Sequence, residues 1–515
     1  MFASSIAGTL WLWWLHSGTF RLLRGIYHRF RDAWLRSLTR SLLLRSGRVQ
    51  ELYRDGLVGR TLRGLLRWAS GILGKLMARF GRINAGGLNY RLWKKWGAPS
   101  SLLKYRVLFP LFVALMYICP HDYWNNLYGL AGALGFLVLY LGVCAARGRE
   151  PMDPTALGLP FLLFGCALVL SLTFSHAFSD SVRVLLLFFA ALLLCYLGAA
   201  YVRDRDSLMT LLGFLYAAVM ITALYALAQR VIGVKVSASL TDLDNNKGVP
   251  GRVYASLDNP NNFAEFLVLF TPLAAVWAVN VKAKFRNLPL NFFLCCALAV
   301  PALAMLMTYS RSGWISIVIA AGILLWFGEK RVLPLLALAA VLAVPLLPQS
   351  IMTRLSTLFV GHHDSSSSFR MRLWVGVLMM LMDHGVTGIG LGPGSFAALY
   401  PYYARKEAKV GPVHSHNVWF ELLLELGIAG LLSFLWFFLR TLRKTGCGLG
   451  ASRCPLRRLS LAACLAGIVG VSFAFLVEYV WYYPRILFAF FLCCGFAIGL
   501  AQGRDGDFEG LPAAE

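Results

Sequence analysis

Charge is what this chain has least of. Only 14% of its 515 residues are Asp, Glu, Lys or Arg, where a soluble globular protein carries about 25%. Acids are the scarcer sign, 24 against 49 Lys and Arg, for a net charge of +25. Further absences narrow the function. No Walker-type phosphate loop is present, so the sequence offers no ATP-driven chemistry. Eleven cysteines form neither a disulfide framework nor a zinc pattern. Cys447 and Cys454 share a basic loop without CxxC spacing, and most of the others sit in apolar runs, where a free thiol behaves as a small hydrophobe. The apolar start lacks a basic n-region, so a cleaved signal peptide is not expected.

What fills the space is apolar: 58% of the residues are hydrophobic and the mean hydropathy is +0.65. Repeated runs near bilayer length define an all-α polytopic membrane protein. Twelve spans are expected, near 106–120, 126–145, 156–174, 182–202, 208–230, 262–281, 288–308, 312–328, 331–348, 418–439, 459–478 and 481–501. The loops that alternate to one side are all basic: Arg147 and Arg149, Arg203 and Arg205, Lys282 to Arg286, Lys330 and Arg331, and Arg440 to Arg458. The positive-inside rule puts them in the cytoplasm and leaves 349–417 as a long extracytoplasmic loop. A surface helix is expected within it from Phe369 to His384, after a flexible lead at Ser365 to Ser368.

Residues 1–105 form a further region. Up to Arg106 the chain holds 20 Lys and Arg against Asp32, Glu51 and Asp55. Arginines alternate with Leu and Trp, a pattern for helices lying on an anionic inner leaflet, with a partly disordered basic arm as the alternative. The membrane face accounts for the basic charge, and no recognition helix or basic-aromatic groove points to nucleic acid. Residues 503–515 are expected as a cytoplasmic tail.

The chemistry-bearing residues collect on the opposite side. Arg252 lies in the outer loop 231–261, Arg311 at the outer end of the seventh span, and Arg370 and Arg372 at the start of the surface helix. Arginine runs against the charge rule there, and its fork of donors suits phosphate oxygens. Each also has a plainer reading: Arg311 as a snorkelling span end, Arg252 as a loop charge, Arg370 as a surface charge. His416 precedes an apolar helix, and an imidazole at a membrane surface suits proton transfer; His414 reads as its neighbour. Glu421 and Glu425, one helical turn apart, are either functional or paired with arginine inside the bundle. Gly427 and Gly430 read as close helix packing. His362, His363 and Asp364 read as solvated residues of a serine-rich loop, and no metal site is assigned.

Taken together, His416-Asn417, nine residues, Gly427, two residues and Gly430 resemble the H-[N/S/Q]-x9-G-x2-G/T/Y signature of the bacterial O-antigen ligase and polymerase superfamily. Arg252 with Asn259-Pro260-Asn261-Asn262, Ser310-Arg311-Ser312-Gly313, and Arg372 followed by the glycine-rich stretch Gly388 to Gly394 resemble its other pieces. The resemblance covers roughly 155–500 and leaves the basic first hundred residues outside it. It implies a GT-C-like glycosyltransferase that needs neither metal nor other cofactor. The implied donor is a glycan on undecaprenyl diphosphate, discharged at the outer face of the cytoplasmic membrane onto a glycan or glycolipid acceptor such as a lipid A-core. Arg252, Arg311 and Arg372 would hold the diphosphate, and His416 would take the acceptor proton with inversion. Asn417, Asn259, Asn262, Glu421, Gly427 and Gly430 would support them. A polysaccharide polymerase or a protein O-oligosaccharyltransferase would share these residues. A polyprenyl-glycan transporter is the rival of another class, disfavoured by the one-sided polar cluster and the lack of an internal repeat.

Overall fold

The computed structural model describes residues 13, 15–36, 46–83, 101–233, 251–282, 284–285, 288–346, 348–356, 365–404 and 411–509. His362, His363 and Asp364 lie outside them. Three helices precede the apolar part: α1 (Gly18–Arg36), α2 (Ser46–Asp55) and α3 (Leu57–Ile83). Then follow α4 (Ser101–Ile118), α5 (Asn126–Ala146), α6 (Leu159–Leu170), α7 (Phe178–Tyr201), α8 (Arg205–Ile232) and α9 (Pro260–Asn280). The next are α10 (Leu290–Ala297), α11 (Ala299–Met307), α12 (Arg311–Phe327), α13 (Leu333–Ala343) and α14 (Gln349–Ser356). The chain closes with α15 (Ser365–His384), α16 (Pro393–Leu399), α17 (Val418–Ala451), α18 (Pro455–Ala474) and α19 (Pro484–Gln502). The strands described are one two-residue antiparallel pair, Lys284–Phe285 with Leu288–Pro289.

This is an all-helical polytopic membrane protein. Among the described residues eight segments are long and apolar enough to cross a bilayer: α5, α7, α8, α9, the α10–α11 pair, α17, α18 and α19. Each of the twelve expected spans carries helix, but α4, α6 and α12 supply shorter apolar stretches, and α13 has only 11 residues. Proline and glycine punctuation accounts for part of that difference: Gly158 and Pro160 delay the start of α6, Pro110 lies inside α4, and Gly328 closes α12. Ser365 to Ser368, expected as a flexible lead, form the first turn of α15.

In lipid there is no hydrophobic gain from helix association, so close backbone approach has to hold the bundle together. The centre is α19, buried along almost its whole length. Its Gly495 and Gly499 face α7 so closely that a Cβ would begin 2.2 Å from the Cys195 carbonyl oxygen and 2.5 Å from that of Ala199. Small residues on α18 do the same against α9 and α12, at Gly467 and Gly470. One further arginine, Arg485, is buried at the start of α19. Its donors go to the carbonyls of Cys119 at 2.9 Å and Ser256 at 2.9 Å, so it staples three segments together.

Helix α2 and the basic helix α3 close one end of this bundle. Arg63 pairs with Asp153 at 3.2 Å, Arg67 with Glu150 at 2.7 Å, and Ser70 donates to the Leu141 carbonyl. The residues that carry chemistry gather at the other end.

Candidate active site

Asn417 shapes the local chain. As N-cap of α17 its Oδ1 accepts from the amides of Trp419 (2.9 Å) and Phe420 (3.1 Å), satisfying donors that a helix start leaves unpaired. Its Nδ2 donates to the Leu476 carbonyl at 2.9 Å and so ties the loop after α18 to this helix start. Glu421, one turn in, accepts the Ser415 amide at 2.6 Å. Held from both sides, His416 adopts φ +52°, in the left-handed region that non-glycine residues seldom occupy.

Three other non-glycine residues share that conformation among the described residues: Ala255, Asp258 and Tyr309. All four lie in or beside the motif loops singled out from the sequence. Such strain persists only where surrounding structure enforces it, and it concentrates at functional sites.

The His416 side chain meets a partner that lies outside the motifs read from the sequence. Its Nδ1 lies 3.0 Å from Oε2 of Glu478, a side chain 12% exposed in the turn after α18. The other Glu478 oxygen accepts from Asn261 at 2.7 Å and from Arg370 at 2.8 Å. Asn261 in turn accepts from Arg252 Nη2 at 2.7 Å, while Arg252 Nε donates to the Thr308 carbonyl at 2.8 Å. A continuous network therefore runs Arg252, Asn261, Glu478, His416, with Arg370 as a second cation on the carboxylate.

Burial would push the Glu478 carboxyl upward, but Arg370, the His416 hydrogen bond and the neighbouring imidazoles outweigh it and hold it at about 2. His414 moves down to about 3, through burial first and His416 second. It therefore stays neutral, and its Nδ1 accepts the His416 amide at 3.2 Å, with the two rings 4.2 Å apart. With Nδ1–H committed to an ionised carboxylate, His416 presents Nε2 as the basic nitrogen.

These groups line a cavity of about 200 Å³, together with Asn259, Asn262, Glu265, Tyr479, Val480 and Tyr483. Asn259 caps α9 and donates to the Tyr483 hydroxyl at 2.9 Å, Asn262 is buried in the wall, and Glu265 Oε2 has no hydrogen-bond partner among the described residues. Arg311, first residue of α12, is half-buried just beyond the Thr308 carbonyl that holds Arg252, and it stands outside the cavity lining. Arg372 is exposed and also outside the lining, whereas Arg370 is inside it.

The glycines serve the backbone. At Gly427 φ is +66° and ψ −173°, a break inside α17 rather than a packing notch. The carbonyls of Leu424 and Glu425, at the break, accept from Ile389 at 2.7 Å and Gly390 at 3.2 Å. A Cβ at Gly427 would begin 2.3 Å from the Val386 carbonyl oxygen, and one at Gly430 would begin 2.1 Å from the Leu426 Cβ. The stretch Gly388 to Gly394 thus clamps a broken helix, and Glu425 reinforces it by accepting from the Gly392 amide (2.8 Å) and the Tyr479 hydroxyl (2.9 Å). Neither Glu421 nor Glu425 pairs with an arginine among the described residues.

Fold and site together define an integral membrane protein with a histidine–carboxylate pair and cationic donors at one end of its bundle. Residues 296–435 match the family model described as O-Antigen ligase, so the chain carries a domain of the O-antigen ligase superfamily, whose members are glycosyltransferase-like ligases or polymerases. The matched stretch includes Arg311, Arg370, His416 and Gly427; Arg252, Asn261 and Glu478 complete the site from outside it. No curated protein matches the chain.

Proposed function

We propose that this chain is an inverting glycosyltransferase of the ligase type, moving a glycan from undecaprenyl diphosphate to an acceptor hydroxyl at the outer face of the cytoplasmic membrane. The observation that carries the reading is the 3.0 Å contact between His416 and a Glu478 that also binds Arg370. In the reaction, Nε2 of His416 takes the acceptor hydroxyl proton as that oxygen bonds to the anomeric carbon. The bond from the anomeric carbon to the diphosphate oxygen breaks, and the electron pair leaves with the diphosphate. Glu478 keeps the imidazole oriented and stabilises the imidazolium as it forms. Arg252 and Arg370 face the leaving diphosphate from the cavity wall, and Arg311 meets it from the first turn of α12, where the helix dipole adds to its charge. Arg370 therefore takes the part that the family resemblance gave to Arg372. The acceptor is a glycan or glycolipid of the cell envelope.

The test is transfer in membranes loaded with undecaprenyl-diphosphate glycan, comparing wild type with His416→Ala and Arg252→Ala at matched expression. Wild type is expected to discharge the carrier onto an acceptor while both variants leave it loaded. A wild type that moves the intact carrier-linked glycan across the bilayer without discharging it would instead make the protein a transporter.

A further inference from the structure

A second cavity of about 1150 Å³, far larger than the first, opens on the side of the bundle. Its walls come from α5, α6, α7 and α17, and its floor from Tyr53 and Leu62 of α2 and α3 with Pro154 and Leu157. It follows α6 from end to end, a rise of about 18 Å for twelve residues. The lining is almost wholly apolar. At the floor that character changes.

On α17 the lining positions Ala429, Ser433 and Trp436 recur at intervals of three and four residues, so they share one helix face. The next positions on that face are Arg440 and Lys444. Arg440 lies against the backbone of Gly158, where a Cβ would begin 2.3 Å from its Nε, and this Nε is buried with no hydrogen-bond partner among the described residues. Lys444 Nζ donates to the Ala156 carbonyl at 2.9 Å. The acids of this turn are already engaged, Asp153 by Arg63 and Glu150 by Arg67. Among the described residues, neither Arg440 nor Lys444 has a carboxylate within ion-pair distance. The N-terminus of α6, where Gln50 Oε1 accepts the Leu159 amide at 3.1 Å, adds its positive end at the same place.

Two half-buried cations without a carboxylate, at the end of an apolar groove on the same helix face, fit one kind of molecule. We propose that this groove binds an anionic glycerophospholipid of the inner leaflet, its phosphate at Arg440 and Lys444 and an acyl chain along α6. The donor carrier is not the occupant. From Asn417 to Arg440 the broken helix climbs at most roughly 35 Å, about 20 Å of it after Gly427, so this phosphate site and His416 lie toward opposite ends of α17. Helices α2 and α3 then have a task, since they build the floor that seats the headgroup end.

The test needs no catalysis, so its outcome is independent of the transferase reading. The full-length protein, purified in mild detergent and stripped of lipid, is titrated with phosphatidylglycerol or phosphatidylethanolamine and examined by native mass spectrometry. One phosphatidylglycerol per chain is expected, preferred about tenfold over phosphatidylethanolamine. The double variant Arg440→Gln/Lys444→Gln should lose that preference, and Ser433→Trp, which fills the groove but keeps both cations, should weaken retention by a similar factor. Arg440→Lys should keep it, and all variants should elute as wild type, which separates lost binding from lost folding. Equal retention of both lipids, or undiminished retention in the double variant, would overturn the proposal. So would inorganic phosphate displacing the lipid completely, because the groove would then contribute nothing.

Discussion

Replacing Glu478 by Gln keeps the shape of the side chain and removes its charge, so it isolates what the carboxylate does for His416. At 3.0 Å in a largely water-excluded site, an effective dielectric constant of about 20 gives an attraction of about 5 kcal/mol between the carboxylate and a full imidazolium. Arg370, at 2.8 Å on the other carboxylate oxygen, stays in place in the variant and drops out of the difference, and with the proton about half transferred in the transition state about half of that attraction is realised. The imidazolium forms only as the acceptor proton moves, so this ~2–3 kcal/mol belongs to the transition state. Glu478→Gln is therefore expected to lower kcat for glycan transfer by about 30- to 150-fold. KM for the donor should change by less than about threefold, since ground-state binding does not use the charge pair. The assay is discharge of undecaprenyl-diphosphate glycan in membranes at matched expression and varied donor. An unchanged kcat, or a loss confined to KM, would remove Glu478 from the role of orienting and stabilising His416.

The break in α17 makes Gly427→Ala destabilising by about 3 kcal/mol or more, because only glycine tolerates its φ/ψ and the new methyl meets the Val386 carbonyl. Gly446→Ala on the same helix, where a Cβ meets nothing within 4 Å, should leave the melting temperature in detergent unchanged or raised, and equal losses would disprove the break. Acid should unfold the protein early. Both His414 and Glu478 have depressed values in the fold, so their stabilisation is complete above the unfolded histidine value of 6.5 and drains away as the pH falls toward about 3 for His414 and about 2 for Glu478. A stability profile flat from pH 7 to about 4 would contradict the burial of a neutral His414. Arg370→Ala leaves Glu478 short of a cation and should reduce transfer at least about tenfold, whereas exposed Arg372→Ala should stay within about twofold. The reverse ranking in the same transfer assay would restore Arg372 to the site.

Most of the architecture was legible because bilayer spans write themselves as apolar runs, and every expected run carries helix. The site was legible only in part. His416 stood out because it is a polar residue at the edge of such a run, with glycines at fixed distances behind it. Glu478 carried a weaker mark, a single acid in Phe475-Leu476-Val477-Glu478-Tyr479. Its meaning depends on a partner 62 residues away, a contact made by Asn417 tying the two loops together and not by any local pattern. Gly427 posed the same difficulty. A glycine in an apolar helix reads equally as a packing notch or a break, and the break is decided by Ile389 and Gly390, whose amides take over the helix's carbonyls.

The choice between Arg370 and Arg372 shows how much phase matters once an element is known. Two residues apart on a helix point about 200° apart, so only one of the pair can face the cavity. The buried hydrophobic side chains of α15 are Leu373, Val377 and Met380, and stepping back three from Leu373 gives Arg370. That period was present in the sequence, but Met371, Leu378, Met379 and Met382 are apolar as well and are exposed. They blur the stripe, so hydropathy alone supports more than one phase. What fixes it is tertiary: Leu373, Val377 and Met380 pack with Ile389, Phe396, Tyr400 and Leu424 in a small core of their own. This core is set by the same glycine-rich clamp that caps the broken α17. The clamp therefore does two things at once, holding the helix that presents His416 and choosing which arginine reaches Glu478.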